Sequence, residues 1–210
     1  MSTYEKIYLD FYQIDKVSFH EKVRFYEKNK AFISLLSFDK KIEIECDYLF
    51  ALFEIGKYHR FLKRVDKMIE LVIMENIYVI DDRNIFEDLL FTKAACLYNT
   101  YQYQSSLKVG GELMKINPNY PYLTRLFRQC LRRSGPNWYE INKAIAVVFI
   151  LSGISVVLVQ LLVVDPFYEQ YAFRVTYFRN ILFIGAFILL LYNELKIHRI
   201  THRIKQKKIF

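Results

Sequence analysis

Ala144-Ile-Ala-Val-Val-Phe-Ile-Leu-Ser-Gly-Ile-Ser-Val-Val-Leu-Val-Gln-Leu-Leu-Val-Val164 runs for 21 residues without a charge. At about 1.5 Å of rise per residue, a helix of that length matches a hydrocarbon core about 30 Å thick. Asp165-Pro166 follows at once, and the proline ring predicts that the helix stops there. A second apolar run, Ile181 to Tyr192, lies within an uncharged stretch, Asn180 to Asn193, of 14 residues. That is short for a crossing. Extension back to Val175 gives sufficient length if Arg179 snorkels to the interface, as long cationic side chains near span ends do. Tyr171, Phe173, Tyr177 and Phe178 form an aromatic belt at that end. The two runs therefore read as a membrane hairpin.

Charge is segregated around this hairpin. Residues 1–142 hold 21 Lys and Arg against 19 Asp and Glu, whereas residues 143–210 hold 9 against 3. The basic excess thus belongs to the apolar part, which argues against a nucleic-acid footprint, because such a binder concentrates cations on its folded domain. Arg125, Arg128, Arg132, Arg133 and Lys143 precede the first run; Lys196, Arg199, Arg203, Lys205, Lys207 and Lys208 follow the second, with no acid among residues 195–210. The positive-inside rule predicts that both clusters face the cytosol. Only an even number of crossings permits this. Ile197, Ile200 and Ile204 line one side of the tail, which suits a helix lying on an anionic leaflet, where each cation contributes on the order of 1 kcal/mol.

Within the runs, small residues are sparse. Ala146 and Gly153 share a helix face, and Gly185 and Ala186 lie in the second run, so close helix packing is expected at these four positions. No chain of intramembrane acids or histidines is present, and a transporter or pump is not expected. The opening residues lack the basic and apolar segments of a secretory signal, so the preceding domain is expected to stay in the cytosol. Cys46, Cys96 and Cys130 are widely spaced and odd in number, which predicts buried, reduced thiols rather than disulfides or a zinc site. The expected location is a bacterial inner membrane, with two spans and both termini cytosolic.

From Glu45 onward, apolar residues return at three- and four-residue spacing, as amphipathic helices require. Leu49, Leu52 and Phe53, then Tyr58, Phe61, Leu62, Val65, Met68, Ile69 and Val72 predict a helical hairpin broken at Gly56-Lys57. The unit recurs from Phe86 to Tyr98 and from Tyr103 to Ile116, ending at Asn117-Pro118-Asn119. A further helix is predicted over 122–133. The segment Ala51-Leu-Phe-Glu-Ile-Gly-Lys-Tyr-His-Arg-Phe-Leu-Lys-Arg-Val-Asp-Lys-Met-Ile-Glu70 resembles the middle of a tetratricopeptide repeat, and Ala94 to Leu107 with Ile116-Asn-Pro-Asn-Tyr120 resembles another with its terminal proline. The resemblance implies that Ala94 and Ser106 face each other as paired small residues. Phe61 replaces the small residue in the first unit, and Tyr58 and Tyr103 are 45 positions apart where the family repeat is about 34. An insertion over Glu75 to Asn84 is therefore expected between the units.

The predicted architecture is all-α: tetratricopeptide-like helical hairpins followed by two transmembrane helices. Residues 1–41 form an N-terminal cap, in which Ser18-x-x-Glu21 predicts a capping box opening a helix through Glu27, and Ala31 to Phe38 ends a helix or forms a strand. Residues 42–133 form the repeats, 134–142 a linker, 143–194 the hairpin with spans near 143–164 and 175–194, and 195–210 the basic tail.

Asp81-Asp82 and Glu87-Asp88 form the densest acidic cluster, but acids at a helix start complement its dipole, and Asp82 or Asn84 is placed as N-cap. His198 and His202 have a spacing compatible with a metal, yet no third ligand lies near. There is no phosphate-cradling glycine loop and no nucleophile motif, so neither enzymatic activity nor a cofactor is expected. Tyr98, Tyr101, Tyr103, Tyr120 and Tyr122 are the expected partner-binding side chains of the repeat groove. Thr92, Tyr122 and Leu126 stand where a clamp for a C-terminal carboxylate would need amide and cationic groups. The expected function is a membrane-anchored adaptor or scaffold subunit that holds another protein at a membrane complex, such as a secretion or insertion machine. The alternative is an oligomerising membrane effector or channel subunit with a regulatory repeat domain.

The topology is directly testable. Protease added outside sealed cells or right-side-out vesicles should leave both the repeats and the tail intact, and alkaline carbonate should leave the chain in the membrane. Digestion of either end from outside, or release by carbonate, overturns it.

Overall fold

The computed structural model describes residues 3–80, 83–135 and 137–206. Helices account for nearly all of it: α1 (Thr3–Gln13), α2 (Phe19–Ile33), α3 (Phe38–Glu54), α4 (Tyr58–Met74), α5 (Ile85–Asn99), α6 (Tyr103–Ile116) and α7 (Leu123–Arg133) precede α8 (Asn137–Val159), α9 (Asp165–Phe167) and α10 (Ala172–Gln206). The chain divides between Cys130 and Leu131 into two compact units.

In the first unit, α3 is central. It packs on α2 and α4, and also meets α1 and α5. Ile42, Cys46 and Leu49 are buried on one side of it and Ile44, Tyr48 and Leu52 on another, so this helix hides two faces where a surface helix hides one. The acids between them are satisfied by neighbours. Glu43 accepts from the Tyr8 hydroxyl of α1 at 2.5 Å, Glu45 from the Tyr26 hydroxyl of α2 at 3.3 Å, and Asp47 from Lys22 of α2 at 3.0 Å.

The two helical hairpins repeat in their turns at an offset of 45 positions. Lys57 N–H donates to Leu52 C=O at 2.9 Å, and Gln102 N–H to Leu97 C=O at 2.9 Å. Both are six-to-one bonds that close a helix through a left-handed residue. Gly56 supplies that residue in the first unit at φ 74°, but Tyr101 supplies it in the second at φ 63°. The small residues implied by the resemblance do meet: Ser106 Oγ donates to Ala94 C=O at 2.7 Å, both residues being buried.

Several expectations are corrected. Ser18 precedes α2 without a side-chain capping bond, and the helix continues past Glu27 to Ile33; the run from Ala31 is its end. The first repeat helix begins at Phe38, before the predicted boundary. The insertion before α5 contains two short antiparallel strands, β1 (Val79–Ile80) and β2 (Arg83–Asn84). Asp81 and Asp82 lie outside the described residues. Asn84 caps α5 by accepting from Glu87 N–H at 3.1 Å.

In the second unit, α8 begins at Asn137, so most of the expected linker is helical. The helical path ends at Phe167, one residue past Asp165-Pro166. A π-helical turn, Gln160–Val164, precedes α9. A proline in a regular helix clashes with the carbonyl four residues back, here Leu162, and removes a donor. The widened turn contains that carbonyl and absorbs both effects. Helical segments over Asn137–Phe167 and Glu169–Ile204 are 31 and 36 residues and apolar enough to cross a membrane. Arg179 does not simply snorkel: its guanidinium donates to Gln160 Oε1 at 3.1 Å, while the Gln160 amide donates to Thr176 Oγ1 at 3.1 Å.

Ala146, Gly153 and Ala186 are buried between α8 and α10, and Gly185 is half-buried. The packing is reciprocal. A Cβ on Gly153 would lie 2.9 Å from the Phe183 ring, and one on Gly185 would lie 3.0 Å from the Phe149 ring. Each helix thus offers a glycine hollow to a phenylalanine of the other. Near one end, Asn142 donates to Asn193 at 3.0 Å, Asn193 donates to the Tyr139 carbonyl at 3.3 Å, and Arg132 pairs with Glu194 at 2.7 Å.

Gly153→Ala should destabilise the detergent-solubilised chain by about 1–3 kcal/mol through overpacking. The loss should shrink in a Phe183→Ala background, read by thermal unfolding of helical circular dichroism. Additive losses would show that the two residues do not share a contact.

Candidate functional site

Three helices of the first unit converge on a cleft of about 440 Å³. Tyr26 and Lys30 come from α2, Glu45, Tyr48 and Leu49 from α3, and Lys63, Arg64, Lys67, Met68 and Leu71 from α4. Helical periodicity explains the grouping. Lys63, Arg64 and Lys67 occupy adjacent positions of one α4 face, as do Tyr26 and Lys30 on α2. Below them, Val65 and Met68 of α4 enter the core.

The floor is a stacked pair: the Tyr26 and Tyr48 rings lie 3.9 Å apart at 18°. The Arg64 guanidinium sits 5.1 Å from the Tyr48 ring centre and 5.8 Å from that of Tyr26, beside the stacked pair. Burial, and then the neighbouring Glu45 carboxylate, push the Tyr26 hydroxyl up to about 12, against an ordinary value of 10.0. Burial likewise raises Tyr48. Both phenols therefore stay neutral donors at physiological pH. Glu45 is engaged by Tyr26. Lys30, Lys63, Arg64 and Lys67 make no ion pair among the described residues, whereas nearby Arg60 and Lys22 are neutralised by Glu27 at 2.6 Å and Asp47 at 3.0 Å. The cleft has an aromatic floor and a wall of four cations beside the single carboxylate Glu45.

The tyrosines selected from sequence lie elsewhere and divide into two groups. Tyr98, Tyr101 and Tyr103 cluster at the α5–α6 turn, with ring separations from Tyr103 of 5.5 Å to Tyr98 and 6.2 Å to Tyr101. Tyr120 and Tyr122 lie in the α6–α7 connection. Tyr120 is a clasp: its hydroxyl donates to Asp88 Oδ1 at 2.5 Å and its ring packs on Phe91 at 5.0 Å. Asn117 reinforces it by donating to Glu87 at 2.6 Å. The described half of the acidic cluster therefore ties α5 to the α6–α7 connection. Tyr101 and Tyr122 are 80% and 74% exposed and both adopt positive φ. A bulky side chain rarely tolerates that conformation. Thr92 and Leu126 are respectively buried and half-buried.

Among the cations of the tail, Lys196 lies 4.0 Å above the Trp138 ring and 5.6 Å from that of Tyr192. Arg199 and Arg203 are exposed. The Lys205 side chain and all of Lys207 and Lys208 lie outside the described residues. His198 and His202 are exposed, with ring centres 6.3 Å apart, and no group of three or more metal-ligating side chains occurs among the described residues. All three cysteines are buried free thiols, and burial pushes Cys46 and Cys96 up to about 12. Thiols so held in the neutral form are poor nucleophiles.

No family model matches the chain, and no curated protein or solved structure does. Apart from these comparisons, the structure shows an all-helical chain of packed helix pairs.

Because the fold favours protonated Tyr26, that residue contributes stability below pH 10, and the contribution is lost as pH rises from 10 toward 12. Tyr26→Phe should flatten this alkaline loss in thermal unfolding of the full chain, at a cost near neutrality of about 1 kcal/mol for the hydrogen bond to Glu45. An unchanged alkaline slope would remove Tyr26 from the account.

Proposed function

We propose that this protein is a membrane-anchored adaptor whose α2–α3–α4 cleft receives an acidic segment of another protein. In this reading, α8 and α10 cross the bilayer as a hairpin with both termini in the cytosol. The anchor holds the bound segment at or within a membrane complex, of which a secretion or insertion machine is one class. The observation that carries the reading is the wall of Lys30, Lys63, Arg64 and Lys67 around a stacked tyrosine pair, with the one lining carboxylate already engaged. A local excess of cations attracts acidic side chains and raises the rate of encounter. The stacked rings add amphipathic area of the kind that anchors peptides. Support for the anchor comes from the apolar windows of the two long helices, of which only 11% and 6% are buried within the protein. A core helix of a water-soluble protein would bury most of such a window.

The test uses the full chain in mild detergent and a fluorescent Glu-rich peptide containing tyrosine. Binding read by anisotropy should weaken as salt rises. Lys63→Glu with Lys67→Glu should weaken it at least tenfold, which corresponds to about 1.4 kcal/mol. Equal binding by the charge-reversed chain refutes the cleft. Purification of a homogeneous ring made of this chain alone would instead favour the effector reading.

A further inference from the structure

We infer that the second unit carries a binding site for one phospholipid, at the end of the hairpin remote from the basic tail. The inference rests on the membrane reading above and is independent of the cleft in the first unit. Ser155, Val156 and Val159 of α8 and Arg174, Val175 and Phe178 of α10 line an apolar hollow of about 420 Å³ that lies open at the surface of the hairpin. The Ser155 hydroxyl donates to the Leu151 carbonyl at 3.0 Å, so its proton is already engaged. Four apolar side chains thus form the walls, and a single cation stands among them.

The position of that cation matches lipid geometry. Arg174 and Glu194 are 20 positions apart on the continuous helix α10, which is about 30 Å of rise and equals the thickness of a hydrocarbon core. With the Glu194–Arg132 pair and Lys196 at one boundary, Arg174 reaches the opposite headgroup level. Val175 and Phe178 continue from it toward acyl depth. Arg174 makes no ion pair among the described residues; its guanidinium lies 6.0 Å from the Tyr171 ring centre. Arg179, deeper by five residues, is held by Gln160 and Asn180. Arg174 is therefore the cation left for an anion, and the adjoining hollow is apolar. A phosphate on Arg174 with one acyl chain between Val156, Val159 and Phe178 satisfies both halves. A carboxylate on a water-soluble partner would leave the apolar half uncovered.

The test is native mass spectrometry of the detergent-solubilised full chain with added phosphatidylglycerol, and with diacylglycerol, which keeps the chains but lacks the phosphate. The wild-type chain should retain one phosphatidylglycerol in preference to diacylglycerol. Arg174→Gln should lower phosphatidylglycerol retention about tenfold and abolish the preference, as loss of a charged hydrogen bond predicts. Val156→Trp should displace both lipids by filling the hollow, and Lys108→Gln, at an exposed position of α6, should change nothing. Equal retention by wild type, Arg174→Gln and Val156→Trp would overturn the site and leave only unspecific annular lipid. Carbonate extraction of the same chains reports separately on whether they are membrane-integrated. Release would fail the membrane reading, whereas resistance with equal retention fails only the lipid site.

Discussion

Two helices long and apolar enough to cross a membrane have only 11% and 6% of their apolar windows buried within the protein, and this exposure is the constraint on the second unit. Backbone groups in hydrocarbon have no water to bond, so each must be satisfied within its helix. The π turn at Gln160–Val164 meets that demand where a proline would otherwise break the ladder. The few polar side chains near it satisfy one another, with Gln160 accepting from Arg179 and donating to Thr176. Association of the helices then falls to shape, and the two glycine–phenylalanine insertions provide it.

The first unit solves a different problem. Its central helix is buried on two faces, which places three acids among apolar neighbours. Those acids are not left over: each draws a donor from α1 or α2, so the N-terminal helices are bound to α3 by hydrogen bonds as well as by apolar contact. One outcome is that Glu45 accepts from Tyr26. Lys63, Arg64 and Lys67 of α4 make no ion pair among the described residues, and the excess of cations in the cleft follows from how the core is stitched.

Much of the chain was legible from spacing. Ala146, Gly153, Gly185 and Ala186 could be singled out because small residues are rare in apolar runs and have a clear steric use. Asn84 as N-cap and the Ala94–Ser106 contact were legible because caps and small-residue pairs are local or family-patterned. The five tyrosines divide into exposed and engaged side chains for a physical reason. An aromatic near a turn looks alike in sequence whether it reaches solvent, as Tyr101 does, or clasps a neighbouring helix, as Tyr120 does.

Composition and periodicity by themselves determined that the chain is helical, that its last third carries two apolar helices, and that its basic excess flanks them, since these properties depend on residues close together along the chain. Only the tertiary structure decided the state of Ile42-Glu-Ile-Glu-Cys-Asp-Tyr48, whose alternation has a strand's period. As a helix it serves two buried faces at once, which requires the helices on either side to be present. The cleft was hidden for the same reason: Tyr26, Tyr48 and Arg64 are far apart in sequence, and only the packing of α2, α3 and α4 stacks the rings and sets the guanidinium above them.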